Sequence, residues 1–343
     1  MRIGVLTGGG DCPGLNAAIR AVVRRADEYG WETLGFLNGW AGLLGEGMPR
    51  PLAPSDVSGI LGLGGTILGT SRTNPMKQQQ HMDEVAANFE RYGLDALVAI
   101  GGDDTLSVAS ALFDNGLKTV GEPKTMDNDL GETDYCIGFN SAVTTVTDAL
   151  DKLHTTASSH HRVMVVEVMG RDAGWVAVFG GLAGGADYIL IPEVDVPLDT
   201  VCDSLRRRRQ RGKDSSIIVV SEGAKFPDVE VELSDGATDA FGHVRLDRRN
   251  VGETVAREIE RRTGFETRTT VLGHLQRGGS PSVFDRILAT RTGAAAVDYV
   301  KVGQFGCMAG LKGTEIVPVP LRDVVARTRT VDLDLWNLAA TFY

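Results

Sequence analysis

"LDALVAIGGDDTL", residues 94–106, is an apolar run of strand length that stops at two glycines and then carries two adjacent aspartates. An apolar run bounded by glycine reads as a buried strand leaving its sheet. Side-by-side carboxylates repel each other unless a cation, or a positively charged ligand complex, lies between them. The end of this strand is therefore the first candidate for a ligand site.

The same arrangement repeats on both sides of it. Strand-length runs lie at "RIGVLT" (2–7), "ETLGFL" (32–37), "LKTVGEP" (117–123), "RVMVVEVMG" (162–170), "ADYILIP" (186–192), "SSIIVVSEG" (215–223) and "TRTTVLGH" (267–274). Between them stand segments of helix length at Leu15–Glu28, Asp83–Tyr92, Ser141–Ser158 and Gly252–Arg262. This alternation predicts an α/β fold with mostly parallel sheets, and 343 residues suffice for two packed units. Ligands of such sheets bind beyond the carboxyl ends of the strands, so the informative residues should follow each run. The polar stretch 225–250 reads as a surface insertion, and "LRRRRQRGK" (205–213) as a solvated helix face, with an anion-effector site as the alternative.

Composition narrows the class. A net charge of −10 argues against nucleic-acid binding, and an anionic substrate would need a local arginine cluster. The 43 glycines are clustered, as where backbone approaches a ligand closely. Cys12, Cys136, Cys202 and Cys307 show no C-x-x-C spacing, which points to reduced thiols in a cytoplasmic chain rather than a disulfide or zinc framework. No signal-peptide pattern precedes "IGVLT", and no apolar run approaches the ~18 residues of a membrane span.

The strand ends carry the chemistry. "TGGGDCPGLNAAIR" (7–20) places glycines before a helix start, an arrangement that cradles anions, although a tight turn leaves the same signature. The dinucleotide pattern G-x-G-x-x-G fails at Pro13, no acid ends the second strand at Asn38, and no Walker A sequence is present. In "PKTMDND" (123–129), Asp127 and Asp129 would share one side of an extended segment, suiting a general base beside a metal complex. An Asx-turn is the competing reading, and Lys124 tilts the choice toward function. Further on come Arg162, Met169-Gly170-Arg171, Glu222, and then Arg268, His274 and Arg277. Arginines converging on one face of an acidic chain imply phosphate binding. His160-His161 would diverge and read as structural.

Together these segments resemble the phosphofructokinase family. The resemblance runs in the expected order through "GVLTGGGDCPGLNAAIR", "LGTSR", "GGDDT", "PKTMDNDL", "SSHHRVMVVEVMGR", "LAGGADYILIPE", "VVSEG" and "TRTTVLGHLQRGGSPSVFDRILATR", over about the first 290 residues. It implies two doubly wound α/β domains and Mg²⁺-dependent phosphorylation of O1 of fructose 6-phosphate. The donor and metal domain would comprise residues 1–138 plus about 276–328, and the sugar domain about 139–275 plus 329–343.

Carried over by position, Asp127 looks like the base, with Lys124, Asp104 and Arg171 as further catalytic candidates. Asp103 and Asp129 match metal positions. Gly10, Arg72, Asp104, Thr105 and Lys124 match the donor site. Thr125, Met126, Asp127, Met169, Gly170, Arg171, Glu222, His274, Leu275, Gln276 and Arg277 match the sugar-phosphate site. Arg162 and Arg268 match arginines that reach that site from a neighbouring subunit, which implies a homodimer or homotetramer.

Two departures bear on the donor. ATP-using bacterial relatives typically have glycine where Asp104 and Lys124 stand. A carboxylate at 104 would repel a nucleotide α-phosphate, and Lys124 could stabilise charge on pyrophosphate. Val108 replaces a glycine expected beside the adenine. The sequence therefore predicts a pyrophosphate-dependent enzyme, with ATP as the alternative donor. NAD and lipid kinases share a "GGD" element but lack the other motifs. Arg20, Arg24, Arg211 and Lys213 match effector-site positions of ATP-using relatives, while His154 replaces an arginine there. Pyrophosphate-using relatives often lack such regulation, so weak or absent allosteric response is expected.

Overall fold

In the computed structural model, which describes residues 1–231 and 250–343, the opening stretch is a strand and the start of a helix. Strand β4 (Ala96–Gly101) is buried at every position, and helix α4 (Asp103–Asp114) begins after one linking glycine. Three other strands precede it: β1 (Arg2–Thr7), β2 (Glu32–Gly35) and β3 (Arg50–Leu52). After it come β5 (Thr119–Pro123), β6 (Val163–Val168), β7 (Tyr188–Leu190), β8 (Ser216–Ser221), β9 (Thr267–Val271), β10 (Cys307–Lys312) and β11 (Glu315–Pro320).

The larger sheet has the order β11-β10-β5-β4-β1-β2-β3 and the smaller the order β7-β8-β6-β9. Every pairing is parallel except β2 with β3 and β10 with β11, both at sheet edges. Helices cover both faces, so β4, β6 and β8 are buried throughout and, apart from Glu167 and the serines that bound β8, read in sequence as apolar runs. Beyond α4 the helices are α1 (Leu15–Glu28), α2 (Trp40–Leu43), α3 (Gln79–Arg91), α5 (Phe139–His160), α6 (Trp175–Ala183), α7 (Leu198–Gln210), α8 (Val251–Thr263), α9 (Val283–Lys301), α10 (Leu321–Val324) and α11 (Leu333–Ala340). Helix α1 buries Leu15, Ala18, Ile19, Val22 and Val23 and turns Arg25 outward, where it pairs with Asp298 of α9 at 2.7 Å.

The chain crosses between the sheets three times, after β5, after β9 and after α10. In the larger sheet, β1 feeds β2 on one side while β4 and β5 lie on the other. The carboxyl ends of β1 and β4 thus form the switch point where open α/β sheets bind ligands.

Three sequence expectations need correction or limits. The basic run 205–213 is not simply solvated: Arg208 pairs with Asp187 at 2.5 Å, Arg206 donates to the Arg262 carbonyl at 2.6 Å, and Arg209 stacks over Phe265 at 4.2 Å. Val108 is fully buried in the core with Leu6, Leu97 and Leu112, so its side chain does not line the open cleft. Of the presumed insertion 225–250, residues 232–249 lie outside the described residues. All four cysteines are buried free thiols, and no described helix is long and apolar enough to cross a membrane.

Candidate active site

A cleft of about 480 Å³, open to solvent, lies beyond the carboxyl ends of β1, β4 and β5. Gly9 and Gly10 follow β1; Gly102, Asp103, Asp104 and Thr105 follow β4; Lys124, Thr125, Asp127 and Asp129 follow β5. Arg72, Arg171 and Arg277 complete the lining.

The glycine turn and Arg277 fit each other closely. A Cβ on Gly10 would stand 2.5 Å from Arg277 Nη1, so a side chain there would displace the guanidinium from its present place. Arg277 donates to the Asp11 carbonyl at 3.1 Å, and the buried Lys124 ammonium donates to the Gly10 carbonyl at 2.6 Å. Burial lowers the Lys124 pKa, with Asp127 and Asp11 among the charges that oppose the shift.

The cradle itself differs from the sequence reading. The start of α1 does not line the cleft, because Asp11-Cys12-Pro13-Gly14 intervene and the Cys12 thiol is buried against the Ile137 carbonyl at 3.3 Å. The helix start that does line it is that of α4. Asp103 and Asp104 are its first two residues, where the helix dipole and free N–H groups favour negative charge. That placement supplies one reason why two carboxylates can sit side by side.

Asp127 and Asp129 both reach the cleft, but not through an extended segment. Asn128 between them adopts the left-handed conformation, with φ 53°. Its Oδ1 accepts the Cys136 N–H at 2.8 Å and its Nδ2 donates to the Asp134 carbonyl at 3.4 Å. Asn128 thus anchors the turn that aims its two neighbours the same way. The Asp127 N–H is fixed by Thr125 Oγ1 at 3.1 Å, while Asp127 Oδ1 is buried without a hydrogen-bond partner. Burial first, then Asp127 and Asp103, push the Asp129 carboxyl up to about 7.

On the second sheet, Arg171 also adopts a left-handed conformation (φ 49°), after Gly170 at φ 152°. A side chain at 170 would be strained, and the turn lets both backbone N–H groups donate to Glu222 Oε1 at 3.4 and 3.3 Å. Burial and then Asp127 raise Glu222 to about 7. Burial opposes the Arg171 charge, but Asp127, Asp103, Asp104 and Asp129 outweigh it and hold the guanidinium charged.

These carboxylates fit a divalent cation. Asp127 Oδ1 lacks a partner, and burial first, then its acidic neighbours, raise the Asp129 carboxyl. Among the described residues no three His, Cys, Asp or Glu side chains form a cage sufficient to hold a metal. That donor set suits Mg²⁺, which keeps water and takes substrate phosphate oxygens beside one or two carboxylates.

Other sequence candidates lie elsewhere. The Met126 side chain is buried in the core, and Met169 packs against that core from a half-buried position. Gln276 is fully buried, donating to the Gly273 carbonyl at 3.1 Å. His274 and the exposed Leu275 line a separate groove beside Asp148 and Lys152 of α5. Arg162 and Arg268 share the Glu266 carboxylate, at 2.7 and 2.5 Å, near the amino ends of β6 and β9 and away from the cleft. Gly9 and Gly102 also line the cleft, and their glycine clusters are the signal the sequence carries for them.

Comparison with known proteins agrees with this architecture. A family model described as phosphofructokinase matches residues 2–300. A pyrophosphate–fructose 6-phosphate 1-phosphotransferase of Streptomyces coelicolor is 54% identical, the alignment covering 100% of both chains. An ATP-dependent 6-phosphofructokinase of Corynebacterium efficiens is 47% identical, over 100% of this chain and 99% of the relative. Among solved structures, a phosphofructokinase from Saccharomyces cerevisiae superposes with a TM-score of 0.82 at 34% identity, covering 95% of this chain and 45% of that one. The chain belongs to the phosphofructokinase family.

Proposed function

We propose that the protein is a pyrophosphate-dependent 6-phosphofructokinase, transferring phosphate from pyrophosphate to O1 of fructose 6-phosphate to give fructose 1,6-bisphosphate and phosphate. The carrying observation is the pair Asp104 and Lys124, both lining the same cleft as Asp103 and Asp127. Asp127 takes the proton from O1 as that oxygen bonds to phosphorus, and the bond to the leaving phosphate breaks. Asp103 and Asp129 would hold Mg²⁺, which when bound would neutralise charge on the donor phosphates. Gly10, Arg72, Thr105 and Lys124 serve the donor. Arg171, Gly170, Glu222 and Arg277 serve the sugar phosphate. Asp104 excludes the nucleotide. The buried free thiols fit a cytoplasmic site of action.

Purified protein given fructose 6-phosphate and Mg²⁺ is expected to turn over with pyrophosphate and not measurably with ATP. Robust turnover with ATP and none with pyrophosphate would overturn the donor assignment.

The same reading makes the enzyme a homodimer or homotetramer, in which Arg162 and Arg268, neither of them lining the cleft of their own subunit, act in a neighbouring one. Hybrids of an Asp127→Asn subunit with an Arg162→Ala subunit test this. If the arginine acts across the interface, hybrids regain activity that neither parent shows alone. Hybrids no more active than the parents would place Arg162 outside the site.

A further inference from the structure

The last crossing between the sheets contains a residue that the reaction chemistry above does not use. Arg329 lies between α10 and α11, and it is not among the residues lining the cleft. Toward the first sheet, its N–H donates to the Asp129 carbonyl at 2.7 Å and its Nη1 to the Asp134 carbonyl at 2.9 Å. The Asp134 carbonyl is also the acceptor for Asn128 Nδ2. Toward the second sheet, the Arg329 carbonyl accepts Trp175 Nε1 at 3.1 Å, and its guanidinium lies 4.2 Å from the centre of the Trp175 ring. Trp175 opens α6, four residues after Arg171. Two residues beyond Arg329, the Val331 N–H donates at 3.0 Å to Glu193, which also accepts the Gly174 N–H at 2.8 Å.

We propose that Arg329 is a positioning residue for phosphoryl transfer: it fixes the aspartate loop 127–134 relative to the Gly170-Arg171 loop without touching either substrate. The inference rests on the site assignment made under Proposed function. Each half of the site is built largely within its own sheet. Asp103, Asp104 and Lys124 belong to the first, and Gly170, Arg171 and Glu222 to the second. Loss of the Arg329 side chain therefore leaves each half able to bind while loosening their alignment. A misplacement of about 1 Å between reacting groups costs on the order of a hundredfold in rate.

Three full-length variants test this. Arg329→Ala removes the stack and the Asp134 bond, and is expected to lower kcat by roughly tenfold to a hundredfold. The Kd of fructose 6-phosphate measured without donor, and that of pyrophosphate with Mg²⁺ measured without sugar, should stay within about threefold. Arg329→Lys keeps a cation over Trp175 and one donor, and should restore most of kcat. Trp175→Phe keeps the ring but removes the N–H bond to the Arg329 carbonyl, and should lower kcat about threefold to tenfold.

A kcat for Arg329→Ala within twofold of the parent would overturn the proposal. So would kcat and both affinities falling together with no rescue by lysine, the signature of a general structural role. Should Arg329→Ala fail to fold, an unchanged kcat in Trp175→Phe overturns it instead. The assay uses whichever donor the parent enzyme accepts. A wrong donor assignment would thus appear in the parent, and a wrong role for Arg329 only in the variants.

Discussion

Replacing Asp127 by Asn is expected to lower kcat about a thousandfold while KM for fructose 6-phosphate stays within about threefold. Asp127 is 5% exposed, its N–H is fixed by Thr125, and its Oδ1 is buried with no hydrogen-bond partner. A desolvated acceptor held without a partner is suited to receive a proton from a bound hydroxyl. Asparagine preserves the shape and removes that capacity. It also removes one negative charge from a group that includes Asp103, Asp104 and Asp129, so repulsion within the cleft falls. The same substitution also removes the carboxylate that faces Arg171, so a melting curve on the variant separates a loss of rate from unfolding. A large rise in KM at unchanged kcat would instead make Asp127 a binding residue.

How much of this was legible in the sequence depends on how local each feature is. The strand-glycine-aspartate succession at 96–104 was legible because buried parallel strands carry unbroken apolar runs and glycine ends them. Helix α1 was legible to its boundaries, because its apolar spacing and the Pro13-Gly14 start are both local. The edge strands β3 and β11 were not. They contain Pro51, and Pro318 with Pro320, residues that argue against a strand unless it lies at a sheet edge, and the edge is set by tertiary structure.

At the site, residue types were readable but reasons were not. Asp127 and Asp129 do face together, through a left-handed Asn128 rather than an extended chain. Val108 falls in the register of α4 that faces the core, a fact visible only once the start of that helix at Asp103 is known. Arg329 carries no motif at all. Its partners Asp129, Asp134 and Trp175 lie more than 150 residues away, so only the fold brings them together.

The donor choice gives the second large effect. Asp104→Gly together with Lys124→Gly is expected to lower kcat/KM for pyrophosphate at least a hundredfold and to admit ATP weakly. Two like charges 4 Å apart cost ~4 kcal/mol at an effective dielectric of 20, enough for roughly a thousandfold discrimination against a nucleotide. Asp104 lines the cleft at the second position of α4, where a bare helix start would otherwise attract phosphate. Its removal takes one of the two negative charges off that helix start, with Asp103 remaining at the first position. Lys124 is proposed to act in the opposite sense: its side chain donates to the Gly10 carbonyl at 2.6 Å and lines the same cleft. The stability cost of losing Asp104 is separable, about 0.3–1 kcal/mol for the helix dipole and about 1 kcal/mol for glycine in a helix. A melting curve on the Asp104→Gly single variant isolates it from the kinetic effect. Asp104→Gly alone should relieve the block on ATP, and Lys124→Gly alone should weaken pyrophosphate use without admitting ATP. Unchanged pyrophosphate kinetics in the double variant would show that the two side chains do not select the donor. ATP turnover still absent from a folded, pyrophosphate-impaired double variant would show that the nucleotide is excluded by shape rather than by the charge at position 104.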